Sequence, residues 1–288
     1  MKGPLLTQTF RGLTGNQPYH WRGERTNLLD FASTFRTLLG AATDIPDTNQ
    51  AAFRDFLNSI TFEPNPNENL DRTYPTNFAG GNAVLGLQSF QTQTVTHGLC
   101  TVCHLLPPGP GSANQITTAD EDGVFQNFKA PQLRDIYQRM GQNKTAGATS
   151  VGGFGLMHDG QETSIISFLS RTNAFGPIPD GVKTNLSAFL QCFDNGTAPA
   201  VGYTRTINSS NLAENVITDD WTLLENQAAA SNIDLVVKGT IGGKLHGLLY
   251  QPLTQNYLVD STDVAPQTRQ QLQTDRRILG MTEEAAAV

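Results

Sequence analysis

The chain is 288 residues long, 38% hydrophobic and only 16% charged, with a net charge of −7 and a sequence pI near 5.2. It has no basic stripe to neutralise phosphates, which argues against nucleic-acid binding, and no apolar run approaches the ~20 residues that would make a transmembrane segment. Three cysteines exclude a disulfide-scaffolded mini-protein, and Thr, Asn, Gln and Gly replace much of the usual ~25% of charge, a surface more common outside the cytoplasm.

Met1-Lys2-Gly3-Pro4 opens directly into patterned sequence, without the basic and apolar regions of a signal peptide. Residues 14–60 read as helical. Asn27–Leu39 places apolar residues at 28, 29, 31, 32, 35, 38 and 39, the spacing of one helix face. Asp47 is placed to cap a second helix running through Ile60. Pro64-Asn65-Pro66-Asn67 begins an irregular linker to about residue 81. Gly86 through Leu99 then reads as a helix leading into the chain's most specific motif.

That motif is Cys100-Thr101-Val102-Cys103-His104, a C-x-x-C-H. Two thiols three positions apart lie on one face of a helical turn and can form thioethers to the two vinyl groups of one porphyrin. The adjacent imidazole is then placed under the iron. The expected cofactor is therefore one covalent haem c. A zinc site would need four ligands, and only Cys192 and scattered histidines remain to supply them. A thioredoxin-like redox pair would need a βαβ context that the sequence does not show. Leu105-Leu106-Pro107-Pro108-Gly109-Pro110-Gly111 reads as a breaker-rich loop. Cys192, in an apolar helical stretch, reads as a core thiol.

Two halves of the chain repeat. Lys, Pro and Leu of Lys2–Leu6 recur in Lys129–Leu133 at an offset of 127. His20-Trp21-Arg22-Gly23 lies over Met157-His158-Asp159-Gly160 at 137, and Ile45-Pro46-Asp47 over Ile178-Pro179-Asp180 at 133. The second copy carries about ten extra residues in the Gly-rich stretch 141–155. Two copies mark related domains rather than a solenoid. By this alignment a first-copy haem motif would precede Met1, so the expectation is a chain that starts partway through a first haem domain. A missing upstream segment would also account for the missing signal peptide.

After Pro199 the pattern changes. Asp219–Ala230 reads as a helix, Ile233–Thr240 as a strand, Ile241-Gly242-Gly243 as a turn, and Leu245–Tyr250 and Asn256–Val259 as further strands. His246 reads as a surface or hydrogen-bonded histidine, and Glu283–Val288 as a frayed tail.

The C-x-x-C-H, the F-K-x-P-x-L-R string at Phe128–Arg134, the H-D-G at His158–Gly160 and their first-copy counterparts together resemble the bacterial di-haem cytochrome c peroxidase superfamily over roughly residues 1–200. The resemblance implies a mainly α fold, cytochrome c-like haem domains in duplicate, to which the pattern after Pro199 adds a small C-terminal α+β appendage. The divisions are 1–70 (the latter part of a first domain), 82–199 (the haem domain) and 200–288. It implies that Pro131 and Leu133 pack on the haem, that Arg134 lies near a propionate, that Trp21 stands between two haems and that His158 lies near the haem edge. The family's distal methionine is missing from the helix at Glu162–Thr172. Met157, Met140, a histidine (His158 or His97) and an open position all remain candidates for the sixth iron site, and Met1 and Met281 are remote in sequence. His20 takes the first-copy place of Met157. The expected function is one-electron transfer with a redox partner protein, in the periplasm or outside the cell. The alternatives are part of a di-haem peroxidase-type oxidoreductase completed by a second haem domain from upstream sequence, or a structural haem subunit of a larger, possibly oligomeric, assembly.

Overall fold

The structure is a computed structural model and describes residues 3–121, 124–143, 145–147, 152–274 and 278–284. Met1, Lys2 and the end of the tail, 285–288, lie outside the described residues, as does part of the Gly-rich stretch. Two compact units emerge. Residues 1–68 and 74–196 form the first, and residues 69–73 and 197–288 the second. The expectation of a mainly α, cytochrome c-like fold is overturned. Only about a third of the described residues are helical, strands form in both units, and a five-stranded antiparallel sheet dominates the second unit.

In the first unit, α1 (Ala32–Thr37) and α2 (Asp47–Asn58) precede α3 (Ala83–Thr92). A short hairpin follows, β1 (Thr94–Val95) with β2 (Gly98–Leu99), and leads into α4 (Cys100–Cys103). A second antiparallel hairpin pairs β3 (Ile116–Glu121) with β4 (Val124–Lys129). The short helices α5 (Ile165–Leu169) and α6 (Thr172–Phe175) lead to α7 (Asp180–Gln191). The first expected helix is broken in two. Asn27 forms a capping box with Asp30 around a 3-10 turn at Leu28–Phe31, and α1 only then begins. The helix expected over 86–99 ends at Thr92. Its start is fixed by Asn82, whose side chain accepts from the Leu85 amide. Its end follows from the β-branched run Thr94-Val95-Thr96 and from Gly98 at φ +98°, which together favour a hairpin.

The first core is built on α3 against α7. Ala83, Phe90, Leu186, Ala188, Phe189 and Phe193 are all buried there. The approach is backbone-close. A Cβ on Gly86 would lie 2.0 Å from the carbonyl oxygen of Asn185, and one on Gly81 would lie 2.6 Å from that of Thr184. Cys192, fully buried at the end of α7, contacts the Asn67 carbonyl through Sγ at 3.2 Å. Burial pushes its thiol up to about 12, which makes it inert as a nucleophile.

The two copies of the repeat share local geometry. Pro46 and Pro179 cap α2 and α7 with nearly the same dihedrals (φ −58°, ψ 145° and φ −58°, ψ 144°), and each helix has 12 residues. His20 and Met157 both adopt left-handed backbone, at φ +68° and +67°. Each lies in a tight loop closed by a bridge, Tyr19 to Arg25 in one copy and Leu156 to Glu162 in the other. Gly23 and Gly160 close these loops at φ +67° and +75°.

The second unit packs α8 (Asn215–Ala229) on a sheet of β5 (Asp234–Ile241), β6 (Lys244–Gln251), β7 (Asn256–Val259) and β8 (Gln267–Thr268), followed by α9 (Arg269–Thr274) and β9 (Ile278–Glu284). The strand order is β8-β7-β6-β5-β9. Leu235, Val237, Leu248 and Tyr257 alternate inward, the period of strands with one buried face. At the centre, the buried Trp221 indole N–H donates to the Tyr257 hydroxyl, which donates to Glu225. Arg269 lies over the Trp221 ring and pairs with Glu225. Tyr257→Phe removes the acceptor for a sealed indole N–H, so the second unit should lose about 1 kcal/mol. Urea unfolding followed through Trp221 fluorescence checks this, and an unchanged midpoint would show that the indole N–H has another acceptor.

Candidate functional site

Cys100 and Cys103 stand at the two ends of the single turn of α4, and His104 leaves the helix in extended conformation at φ −121°, ψ 109°. The His104 amide still donates to the Cys100 carbonyl at 3.0 Å, which ties the ring's backbone to the thiol turn. Both thiols are free. Burial raises the pKa of the Cys100 thiol, and Cys103 Sγ lies 3.7 Å from Gln115 Oε1.

The Pro131 carbonyl orients the imidazole. Its Nδ1 lies 3.0 Å from the carbonyl oxygen of Pro131. A carbonyl only accepts, so Nδ1 carries the proton and Nε2 presents its lone pair. Burial pushes the His104 pKa down, against weaker opposing hydrogen bonds to the Pro131 and Gly111 backbones. The ring is therefore neutral at neutral pH, the form that binds metals. Phe90 packs near it with ring centroids 6.5 Å apart.

The Pro131 carbonyl is held by its own supports. The Lys129 amide donates to the Trp21 carbonyl at 2.8 Å, and the Ala130 amide to the Gln115 carbonyl at 2.8 Å. The Ser112 hydroxyl donates to the Ala130 carbonyl at 2.6 Å. Leu133 and the side of Cys100 pack into the same core. Arg134 is enclosed rather than solvated. Its guanidinium lies 5.2 Å from the Phe62 ring and donates to the Gly12 carbonyl at 3.3 Å. Burial lowers its pKa and Asp194 opposes that shift. The supporting residues Ser112 and Gln115 were not singled out by sequence reasoning. The only signal was the Gly109-Pro110-Gly111 turn just before them, which brings the chain back past the motif.

Met157 and His158 lie in the loop closed by Leu156 and Glu162. The His158 ring stacks on Phe128 at 4.5 Å, and its carbonyl accepts from the Leu6 amide at 2.7 Å. Met157 Sδ accepts from Arg171 Nη1 at 2.8 Å, and its carbonyl from Arg139 Nη2 at 3.0 Å. The thioether would have to release Arg171 before it could serve as a ligand. Met140 packs against the first core, and His97 is exposed in the turn between β1 and β2. The structure thus joins Cys100, Cys103, His104, Pro131 and Leu133 in one neighbourhood and gives Met157 a different partner. In the second unit His246 is buried, with Nδ1 2.9 Å from Asp260.

Among the described residues, no group of three or more His, Cys, Asp and Glu side chains gathers in a metal-holding arrangement. No family model, curated protein or solved structure matches the chain. Among the described residues, no helix is long and apolar enough to cross a membrane.

The residues at the motif fit a covalently held porphyrin. Two thiols on one turn can each form a carbon–sulfur bond. A neutral imidazole with a fixed tautomer offers one nitrogen to iron. Such a site does not require the three side chains to converge on one point, because the thiols bond the macrocycle and only the imidazole bonds the metal.

Proposed function

We propose that the chain is a c-type haem protein that transfers single electrons, with one haem c bonded to Cys100 and Cys103 and seated on His104. The observation that carries this reading is the 3.0 Å contact from His104 Nδ1 to the Pro131 carbonyl beside a two-thiol helical turn. When bound, the haem supplies a one-electron iron couple whose potential depends on axial ligand, burial and hydrogen bonding. The chain's own contribution is to hold the ring system through two thiols, to keep the imidazole neutral and oriented, and to limit water around it with Phe90 and Leu133. The reading rests on attachment chemistry and not on fold type.

The test is intact mass after expression in a host whose haem-ligation machinery loads a control cytochrome. The full chain should carry the mass of one haem, resistant to acid-solvent extraction. The Cys100→Ser, Cys103→Ser double variant should carry none. A colourless protein with the mass of bare polypeptide would overturn the proposal. The ferric protein should also fail to turn over peroxide, and rapid peroxide consumption would transfer the site to peroxidase chemistry.

A further inference from the structure

The sulfur of Met157 is engaged by a cation, and the loop around it is built to hold that contact. Arg171, at the N-cap of α6, turns its guanidinium into the loop closed by the Leu156–Glu162 bridge. Nη1 donates to Met157 Sδ at 2.8 Å and to Gln161 Oε1 at 3.3 Å, and it lies 3.5 Å from Glu162 Oε1. Glu162 is fixed in turn, because its Oε2 accepts from the Ser167 hydroxyl at 2.6 Å. The side chains of Arg171 and Glu162 are only 17% and 19% exposed, so water screens the charge poorly. A second guanidinium fixes the backbone of the loop. Arg139 donates to the Gly155 carbonyl at 2.9 Å and to the Met157 carbonyl at 3.0 Å. Met157 is thus held at both its carbonyl and its sulfur.

The first copy closes the same loop differently. At the offset of 137, Arg171 falls on Thr34 and Glu162 on Arg25. The His20 loop has the same left-handed residue and the same kind of closing bridge. There the carboxylate of Glu24 lies 3.9 Å from His20 Nδ1, where the second copy has a guanidinium against sulfur. The loop's backbone therefore does not require a cation against its left-handed residue. The cation belongs to the second copy alone.

On the reading of the chain as a haem c protein, we propose that Arg171 is a positioning residue that withholds the Met157 thioether from iron and so sets the sixth coordination position. A metal bonded to that sulfur would bring a second positive centre beside the guanidinium, in surroundings that screen it little. The sulfur's electron pair is also already drawn toward an N–H. Removing the guanidinium removes both obstacles. It leaves Met157 beside Gln161 and Glu162, whose oxygens do not compete for a sulfur lone pair.

The test uses the full chain loaded with haem. The ferric parent should show no near-infrared sulfur-to-iron band, and Met157→Leu should leave its spectrum and midpoint potential unchanged. Arg171→Leu should gain the band and a higher midpoint potential, as a thioether ligand confers, at unchanged haem mass per chain. Adding Met157→Leu to that variant should abolish both gains. If Arg171→Leu does not fold, Arg171→Gln, which keeps an N–H donor for Glu162 without the charge, carries the same expectation. A band in the parent that Met157→Leu abolishes would overturn the proposal. So would a loaded Arg171 variant whose spectrum and potential match the parent's, or whose band survives Met157→Leu. A parent with the mass of bare polypeptide would instead overturn the haem reading itself, and this proposal with it.

Discussion

Gly86→Ala should destabilise the first unit by about 3 kcal/mol, the range for forcing bulk into a packed core. The new Cβ would sit 2.0 Å from the Asn185 carbonyl oxygen and 2.6 Å from the Phe189 Cβ. Both belong to α7 and neither can swing aside like a side-chain tip. Alanine gains about 1 kcal/mol of helix propensity over glycine, so the net loss is what remains after that gain is subtracted from the cost of separating the helices. The loss should extend to the site. α3 hands the chain to the hairpin at 94–99 and then to the cysteine turn, so a shifted α3 shifts the thiols relative to the Pro131 carbonyl. Haem loading per chain should fall together with stability. Trp21 lies in the first unit and Trp221 in the second, so urea unfolding of Trp21 in a Trp221→Phe background isolates the affected unit. A stability change under about 0.5 kcal/mol would show that α3 and α7 separate without cost.

The distance over which sequence can be read explains what was legible here. The C-x-x-C-H is a contiguous motif, and its turn geometry follows from local spacing alone. The strands at 234–241 and 244–251 were legible because one buried face imposes a two-residue alternation around the Gly242-Gly243 turn. The α2 start was legible to within a residue: Asp47, read as its cap, is the first helical residue, and Pro46 takes the cap position. The hairpin at 116–129 was not legible. Only its last residues, Phe128 and Lys129, belong to the motif string, and β propensity in the rest reports a pleated surface only once its partner is known. The fold expectation failed for a related reason. The resemblance spans roughly residues 1–200, but there a hairpin at 116–129 and short helices such as Leu28–Phe31 and Thr172–Phe175 leave little continuous helix. The Pro131 contact lay beyond sequence altogether, because its acceptor is a backbone carbonyl 27 residues away.

Asp135→Asn should stabilise the first unit by about 2 kcal/mol at pH 7–8 and by close to nothing at pH 4. Burial first and the nearby Glu63 charge second raise the Asp135 carboxyl to about 6, with Arg11 and a Tyr137 hydrogen bond opposing them. Asp135 is 8% exposed, and Arg11 reaches it only at 3.6 Å while lying 2.8 Å from Glu63. A carboxyl raised in the folded state binds its proton more tightly there than in the unfolded chain. Its favourable contribution is therefore complete below the unfolded value near 4 and is lost as pH rises through about 6. Two pKa units correspond to roughly 2.7 kcal/mol, which coupling to Arg11 and Glu63 reduces. Asparagine keeps the shape, removes the charge and leaves Arg11 paired with Glu63. It also suits the backbone, since residue 135 sits at φ +63°, where asparagine is among the better-tolerated side chains. The amide N–H of residue 135, which donates to Asn195 Oδ1 at 2.7 Å, is unaffected. Chemical denaturation of both proteins at pH 4, 5, 6, 7 and 8 resolves the curve. The difference should open between pH 4 and 6 and then stay level. A variant less stable than the parent above pH 6 would mean that attraction to Arg11 outweighs the cost of burying the charge.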